Sequence, residues 1–204
     1  KEPSCSSRAD RCNIEYRQTT SPMRKLKITE MGRMNAAEFK ASEKMPLVVV
    51  LDDVRSMYNV GSVFRTADAF RVEAIYLCGI TACPPHPEIH KTALGAEDTV
   101  AWRHFATALE AVQQLKEQGY TVFSTEQCEG STMLQALELG IAGSPSASPR
   151  YAIVLGNEVK GVHQEVVDAS DGCIEIPQFG TKHSLNVSTT AGIVIWEFAK
   201  QLLI

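Results

Sequence analysis

Short apolar runs and amphipathic segments take turns along most of this chain, and that alternation restricts its fold more than any other feature. Residues 47–51, Leu-Val-Val-Val-Leu, are continuously apolar, rich in β-branched side chains and too short for a helix, so they read as a buried strand. Residues 59–70 read as a helix with Val63, Phe64, Ala67 and Phe70 apolar, and residues 74–78 as the next strand. A proline-rich loop at residues 84–87 and a candidate strand at 99–105 follow. Residues 106–118 are helical in pattern and stop at Gly119, a residue suited to the left-handed conformation that ends helices. Beyond them come a strand at 120–124, a helix at 132–139, a surface loop at 144–149, a strand at 151–155, a short helix at 164–169 and a last strand at 173–176. Alternation of this kind predicts an α/β fold, a mostly parallel sheet with helices on both faces.

The chain closes on residues 176–204, a strand end at Ile176-Pro177, a polar stretch at 180–188 and an amphipathic helix. Val187, Ala191, Ile195, Phe198 and Leu202 share one face of that helix. A polar loop held between a buried strand and a buried helix is a candidate site. It is equally a well-capped helix, since Ser184, Asn186 and Ser188 can each accept from its first free N–H groups.

At 204 residues, 44% hydrophobic and 22% charged, the composition is that of a globular chain able to bury a full core. Residues 1–22 are polar and aperiodic, so a poorly ordered arm is expected there, followed by a single domain over 23–204. A short helical extension is expected at 23–44, with Met31, Met34, Ala37 and Phe39 as its apolar members. The six cysteines form neither a CxxC pair nor a framework, which suits reduced thiols. No apolar run is long enough to cross a bilayer or resembles a signal peptide, so a cytoplasmic protein without a membrane partner is expected. The net charge of −4 conceals an asymmetry: residues 1–40 hold nine Lys/Arg against five acids, a surplus of +4, so residues 41–204 carry −8. A basic arm on an acidic body steers a polyanion to one edge.

In parallel α/β folds ligands bind beyond the carboxyl ends of the strands, so the loops there carry the chemistry. After the first strand comes N-x-G-x-x-x-R-x-A, in which Asn59 can cap the helix and Arg65 follows nearly two turns in. A solvated ion pair with Asp68 explains Arg65 blandly. Its position between Phe64 and Ala67 instead suggests a half-buried guanidinium that a phosphate would satisfy bidentately. After the strand at 151–155 comes L-G-x-E-x-x-G, where Gly156 and Gly161 allow close backbone approach and Glu158 offers an acceptor. Neither a P-loop nor a GxGxxG fingerprint is present, which sets nucleotide hydrolysis and dinucleotide binding aside. His86 and His90 are spaced as helical metal ligands, but Pro85 and Pro87 oppose a helix and no third ligand is near, so no metal is expected.

With I-P-x-x-G-x-x-x-S-L-N-V-S ahead of the terminal helix, these segments form three motifs in order. Over residues 47–204 the chain resembles the SpoU/TrmH-type RNA 2′-O-ribose methyltransferases of the SPOUT superfamily, and residues 92–97, Thr-Ala-Leu-Gly-Ala-Glu, also look like a family segment. The resemblance implies a C-terminal deep trefoil knot, S-adenosylmethionine as cofactor, a homodimer that completes the site, and a transfer RNA or ribosomal RNA substrate. Carried over by motif, Gly156, Ile176 and Leu185 are expected to contact the adenosyl group, with Thr125 a further candidate for that pocket. Asn59, Arg65, Glu158, Ser184 and Asn186 are expected to form the catalytic or substrate-positioning set. Two other readings keep the fold but change the role: a non-catalytic RNA-binding or assembly module, and a methyltransferase acting on a base.

Overall fold

Seven parallel strands run Met45–Asp52 (β1), Val72–Cys78 (β2), Ala101–Phe105 (β3), Tyr120–Thr125 (β4), Thr132–Met133 (β5), Arg150–Leu155 (β6) and Gly172–Glu175 (β7) in a computed structural model that describes residues 23–140 and 149–204. Their spatial order is β3-β2-β1-β6-β4-β7-β5. From β1 the chain first builds outward through β2 and β3, then crosses back to build the other side. The direction of winding therefore reverses at the border of β1 and β6, the kind of crevice in which open α/β sheets hold ligands. Register brings the ends of four strands level there: Leu51 pairs with Leu155, Leu155 with Thr125, and Thr125 with Ile174.

Side chains alternate across the sheet and divide the core in two. Leu47, Val49 and Leu51 of β1 join a layer with the helices Met57–Ala69 (α2) and Val187–Leu202 (α6), which contribute Val60, Val63, Phe64, Ala191, Ile195 and Phe198. Val48 and Val50 face the opposite layer, with Val112 and Leu115 of a helix at Ala108–Glu117 and Val166 of one at Gln164–Ala169. Each fully buried Val, Leu, Ile or Phe contributes about 1.5–3 kcal/mol to folding, so both faces are anchored.

Several expectations need correction. Residues 132–139 do not form a helix: two residues add the edge strand β5, and Leu134–Ala136 make one 3-10 turn. Residues 87–93 do form one, Pro87–Ala93 (α3), because Pro87 occupies the first helical position, where its missing N–H costs nothing, and His86 Nδ1 accepts from Glu88 N as the cap. Over 23–44 helix is confined to the 3-10 turn Ile28–Glu30 and to Ala36–Ala41 (α1), closed by a reciprocal Asn35–Glu38 capping box. Of its apolar members Phe39 is buried, while Met31 and Met34 are exposed.

The chain divides into two units between Arg33 and Met34. In the described part of the first, Arg24 grips the Glu30 carboxylate with both Nη atoms, at 3.0 and 2.9 Å. The expected arm at 1–22 and most of the expected loop at 144–149 lie outside the described residues. Among the described residues no helix is long and apolar enough to cross a membrane, and the four cysteines, Cys78, Cys83, Cys128 and Cys173, are free thiols.

Candidate active site

Three segments far apart in sequence are tied together at the carboxyl ends of β1 and β6 by one carboxylate. Glu158 Oε2 accepts from Arg55 N at 3.0 Å, and Oε1 accepts from Ser56 N and from Asn59 Nδ2, both at 3.0 Å. The buried Asn59 completes the line, its Oδ1 accepting from Asn186 Nδ2 at 3.1 Å. Asn186 Oδ1 caps α6 through the backbone N–H groups of Ser188 and Thr189. Of the three cap candidates Asn186 thus takes the role, and capping and site are one device.

The α2 helix begins earlier than its motif suggests. Ser56, not Asn59, is the cap, its Oγ accepting from Asn59 N at 3.3 Å, so Asn59 lies inside the first turn with its amide free for Glu158. A carboxylate at that position also meets the positive end of the helix dipole. Burial pushes the Glu158 pKa up, but hydrogen bonds from the backbone of Arg55, its own N–H, the Asn59 amide and Ser56 N outweigh it and hold the group below its ordinary value. Ionised and committed to three donors from neighbouring residues besides its own N–H, Glu158 is built to position its neighbours rather than to shuttle a proton.

The glycine of the first motif has a packing reason. A β-carbon on Gly61 would collide with the Ile89 carbonyl and the Thr92 hydroxyl of α3, so α3 lies directly on α2 only because that position is bare. The segment at 92–97 completes this support: Leu94 and Gly95 turn through positive φ, and the buried Glu97 accepts from His90 Nδ1 at 2.6 Å and Gly95 N at 3.0 Å. His86 and His90 therefore both have structural partners.

Beside the Glu158 network lies a cavity of about 470 Å³. Thr125, Gly156, Ile176 and Leu185 all line it, and so do Glu158 and Ser184. Thr125 Oγ1 is buried there and, among the described residues, has no hydrogen-bond partner. At Gly156 a β-carbon would strike the backbone of Gly161 and Val162, which doubles back against it through mutual bonds of Asn157 and Gly161 at 3.0 and 2.9 Å. His183 lines the same cavity, and its carbonyl accepts from Gln127 Nε2 at 3.0 Å. Burial, with the neighbouring Cys128 thiol, raises the Cys173 thiol to about 12, so it is no nucleophile.

Arg65 joins neither group. It is exposed rather than half-buried, and among the described residues its guanidinium has no hydrogen-bond or ion-pair partner; Asp68, the bland candidate, instead accepts from Thr99 Oγ1 at 2.8 Å. Sequence reasoning missed the partners around the motifs. Arg55 and Ser56 precede the first motif and contribute backbone groups, which carry no side-chain signal, while Gln127 lies outside all three motifs.

The SpoU rRNA Methylase family profile matches residues 46–196. The chain is 31% identical over 156 residues to a 23S rRNA (guanosine-2'-O-)-methyltransferase of Neisseria meningitidis serogroup B, covering 76% of this chain and 59% of that relative. To a tRNA (guanosine(18)-2'-O)-methyltransferase of Thermus thermophilus it is 29% identical over 175 residues, 86% of this chain and 85% of the relative. Among solved structures it is similar to an AdoMet-bound rRNA methyltransferase from Sinorhizobium meliloti, with a TM-score of 0.70 and 26% identity over 79% of this chain and 59% of that one. The chain thus spans little more than half of the first and third of these relatives.

Proposed function

Because this chain belongs to the SpoU rRNA methylase family, we propose that it transfers a methyl group from S-adenosylmethionine to a ribose 2′-hydroxyl of transfer RNA or ribosomal RNA. The observation that carries the reading is the Glu158–Asn59–Asn186 network, which joins three distant motifs at the rim of a cavity beside the sheet's switch point.

The cavity suits the adenosyl group of that cofactor. Thr125 Oγ1 is a buried polar atom lacking a partner, and the bare face of Gly156 keeps the folded-back loop tight. Thr125, Gly156, Ile176 and Leu185 would hold the cofactor, Ile176 and Leu185 with apolar surface and backbone groups. Bound there, S-adenosylmethionine supplies a methyl already activated on a sulfonium, so neither a metal nor a separate activation step is required.

What remains for the chain is alignment and charge. Glu158 fixes Asn59, Asn59 fixes Asn186, and both amides orient the ribose; Ser184, at the cavity wall, offers its hydroxyl to the same end. Arginine, with a pKa above about 12, is a poor base. Arg65 would instead grip the neighbouring phosphate and stabilise the negative charge that develops on the 2′-oxygen as its proton passes to water, while the methyl–sulfonium bond that breaks would leave a neutral thioether as the departing group. Within one chain it reaches neither the network nor the cavity, which supports a homodimer in which the second copy completes the site. An apolar surface for that pairing is present on α6, where Ile193 and Trp196 are exposed and the Trp196 ring lies 5.9 Å from Phe70. The trefoil knot belongs to the same proposal; β6 and β7, the last strands made, flank β4 rather than follow it. A cytoplasmic location accompanies the reading.

Incubation with methyl-tritiated S-adenosylmethionine and RNA from cells lacking the protein tests it. Label in one RNA size class supports transfer and names the substrate. Calorimetric binding of the cofactor without label in any RNA moves the chain to a non-catalytic RNA-binding module.

A further inference from the structure

Behind the loop that walls the first cavity lies a second, of about 260 Å³, lined by Asp53, Arg55, Ile80, Asn157, Val159, Lys160 and His163. Asn157, Val159 and Lys160 line both, so residues 157–160 form a partition with one cavity on each side. The charged groups around the second cavity differ in how far they are engaged within the protein. Asp52, buried beneath, accepts from His163 N at 3.0 Å and from His163 Nδ1 at 2.9 Å, and it thereby fixes the ring with Nε2 toward Asp53 at 3.7 Å. Asp53 Oδ1 accepts from Ile80 N at 2.9 Å. Asp52 is thus engaged inside the protein, whereas Asp53 stays at the cavity wall with only Oδ1 bonded. The Arg55 and Lys160 side chains are exposed and, among the described residues, have no hydrogen-bond or ion-pair partner. The backbone that carries Lys160 is held in place, since Asn157 Oδ1 accepts from both Val159 N and Lys160 N, at 2.9 and 3.1 Å.

Asp52, Asp53 and His163 are close enough together to suggest a cation site. Asp52, however, lies buried against His163 and outside the lining, so at the cavity wall the two cations face a single carboxylate, Asp53, which favours an anion. Arg55 N also donates to Glu158, so the same short segment serves the candidate reaction centre and the second cavity. We infer that Arg55 and Lys160, with His163 behind them, form a subsite for a backbone phosphate of the RNA strand beside the methylated nucleotide. This rests on the transferase reading for the identity of the strand. Its effect is to seat the strand across the partition, so that the target ribose meets the cofactor side.

Filter binding of radiolabelled total transfer RNA and ribosomal RNA over a potassium chloride series tests the subsite in the intact chain. Arg55→Gln with Lys160→Gln should weaken RNA binding about tenfold and reduce the slope of log K against log salt by about 0.7, the share of one single-strand phosphate. Circular dichroism and thermal denaturation of the variant should match the wild type, which shows that it folds. A control removing two cations elsewhere, Lys116→Gln with Lys200→Gln, should leave both RNA quantities near wild type. An unchanged slope in the first variant, or an equal loss in the control, overturns the subsite. Failure of the wild-type protein to bind RNA overturns both the subsite and the transferase reading. The selective loss with no methyl transfer supports the subsite and overturns only the transferase.

Discussion

The two cavities share a wall but are made from different material. The first is shaped largely by backbone: a glycine with no room for a β-carbon, a loop folded back on itself, an unpaired threonine hydroxyl and apolar side chains. The second is shaped by charged side chains, two of them without a partner among the described residues. A pocket built from backbone tolerates little change and suits one constant ligand. A pocket built from surface cations is easily altered, which suits the part of a reaction that differs among substrates.

The sharpest way to break this contrast is to fill the first cavity's wall. Gly156→Val should abolish cofactor binding in calorimetry and cost about 1–3 kcal/mol of stability through overpacking, because the Gly161–Val162 backbone has nowhere to go. Unaltered affinity in that variant would show that the adenosyl group does not sit there. Next in size, Asn59→Ala should lower turnover about a hundredfold, the scale for one preorganised hydrogen-bonding group, while the cofactor still binds. Arg65→Lys keeps the charge but loses the fork, and turnover should fall about tenfold; near-wild-type turnover removes the bidentate role. Thr125→Val is expected to weaken cofactor binding by about tenfold, the worth of one hydrogen bond, without destabilising the fold, since the hydroxyl has no partner to lose.

The smallest effect is on pH. Glu158 is held below its ordinary pKa in the folded protein, so its contribution to stability is complete above the unfolded value of about 4.3 and is lost as pH falls through the lower folded value. Chemical denaturation of wild type and Glu158→Gln across pH 2–6 should therefore show their difference shrinking at the acid end. A difference that stays constant through that range would mean that the carboxylate gains nothing from its three donors.

Much of this architecture was legible where the pattern was periodic or the run uninterrupted. The strands at residues 47–51 and 151–155 and the terminal helix are announced by buried faces that nothing competes with. Errors fell where a single residue decides the outcome. Pro87 reads as a helix breaker in general but starts α3, and the apolar residues of 132–139 serve an edge strand and one turn instead of a helix face. The site divides in the same way. Asn59, Glu158 and Asn186 stand at fixed motif positions and converge by hydrogen bonds, but Arg65 does not reach them within one chain. Arg55 and Lys160 occupy positions that the motifs leave open, and only the folding of residues 157–163 against the end of β1 sets them around one cavity.

The central claim is that the Asn59-centred network aligns a ribose oxygen for methyl transfer. Its most direct test is digestion to nucleosides after transfer from labelled S-adenosylmethionine, run side by side for wild type and Asn59→Ala at saturating cofactor. Label should be confined to a 2′-O-methylnucleoside in the wild type, with transfer about a hundredfold slower in a variant that still binds cofactor. Label on a base, or full transfer by Asn59→Ala, would contradict it.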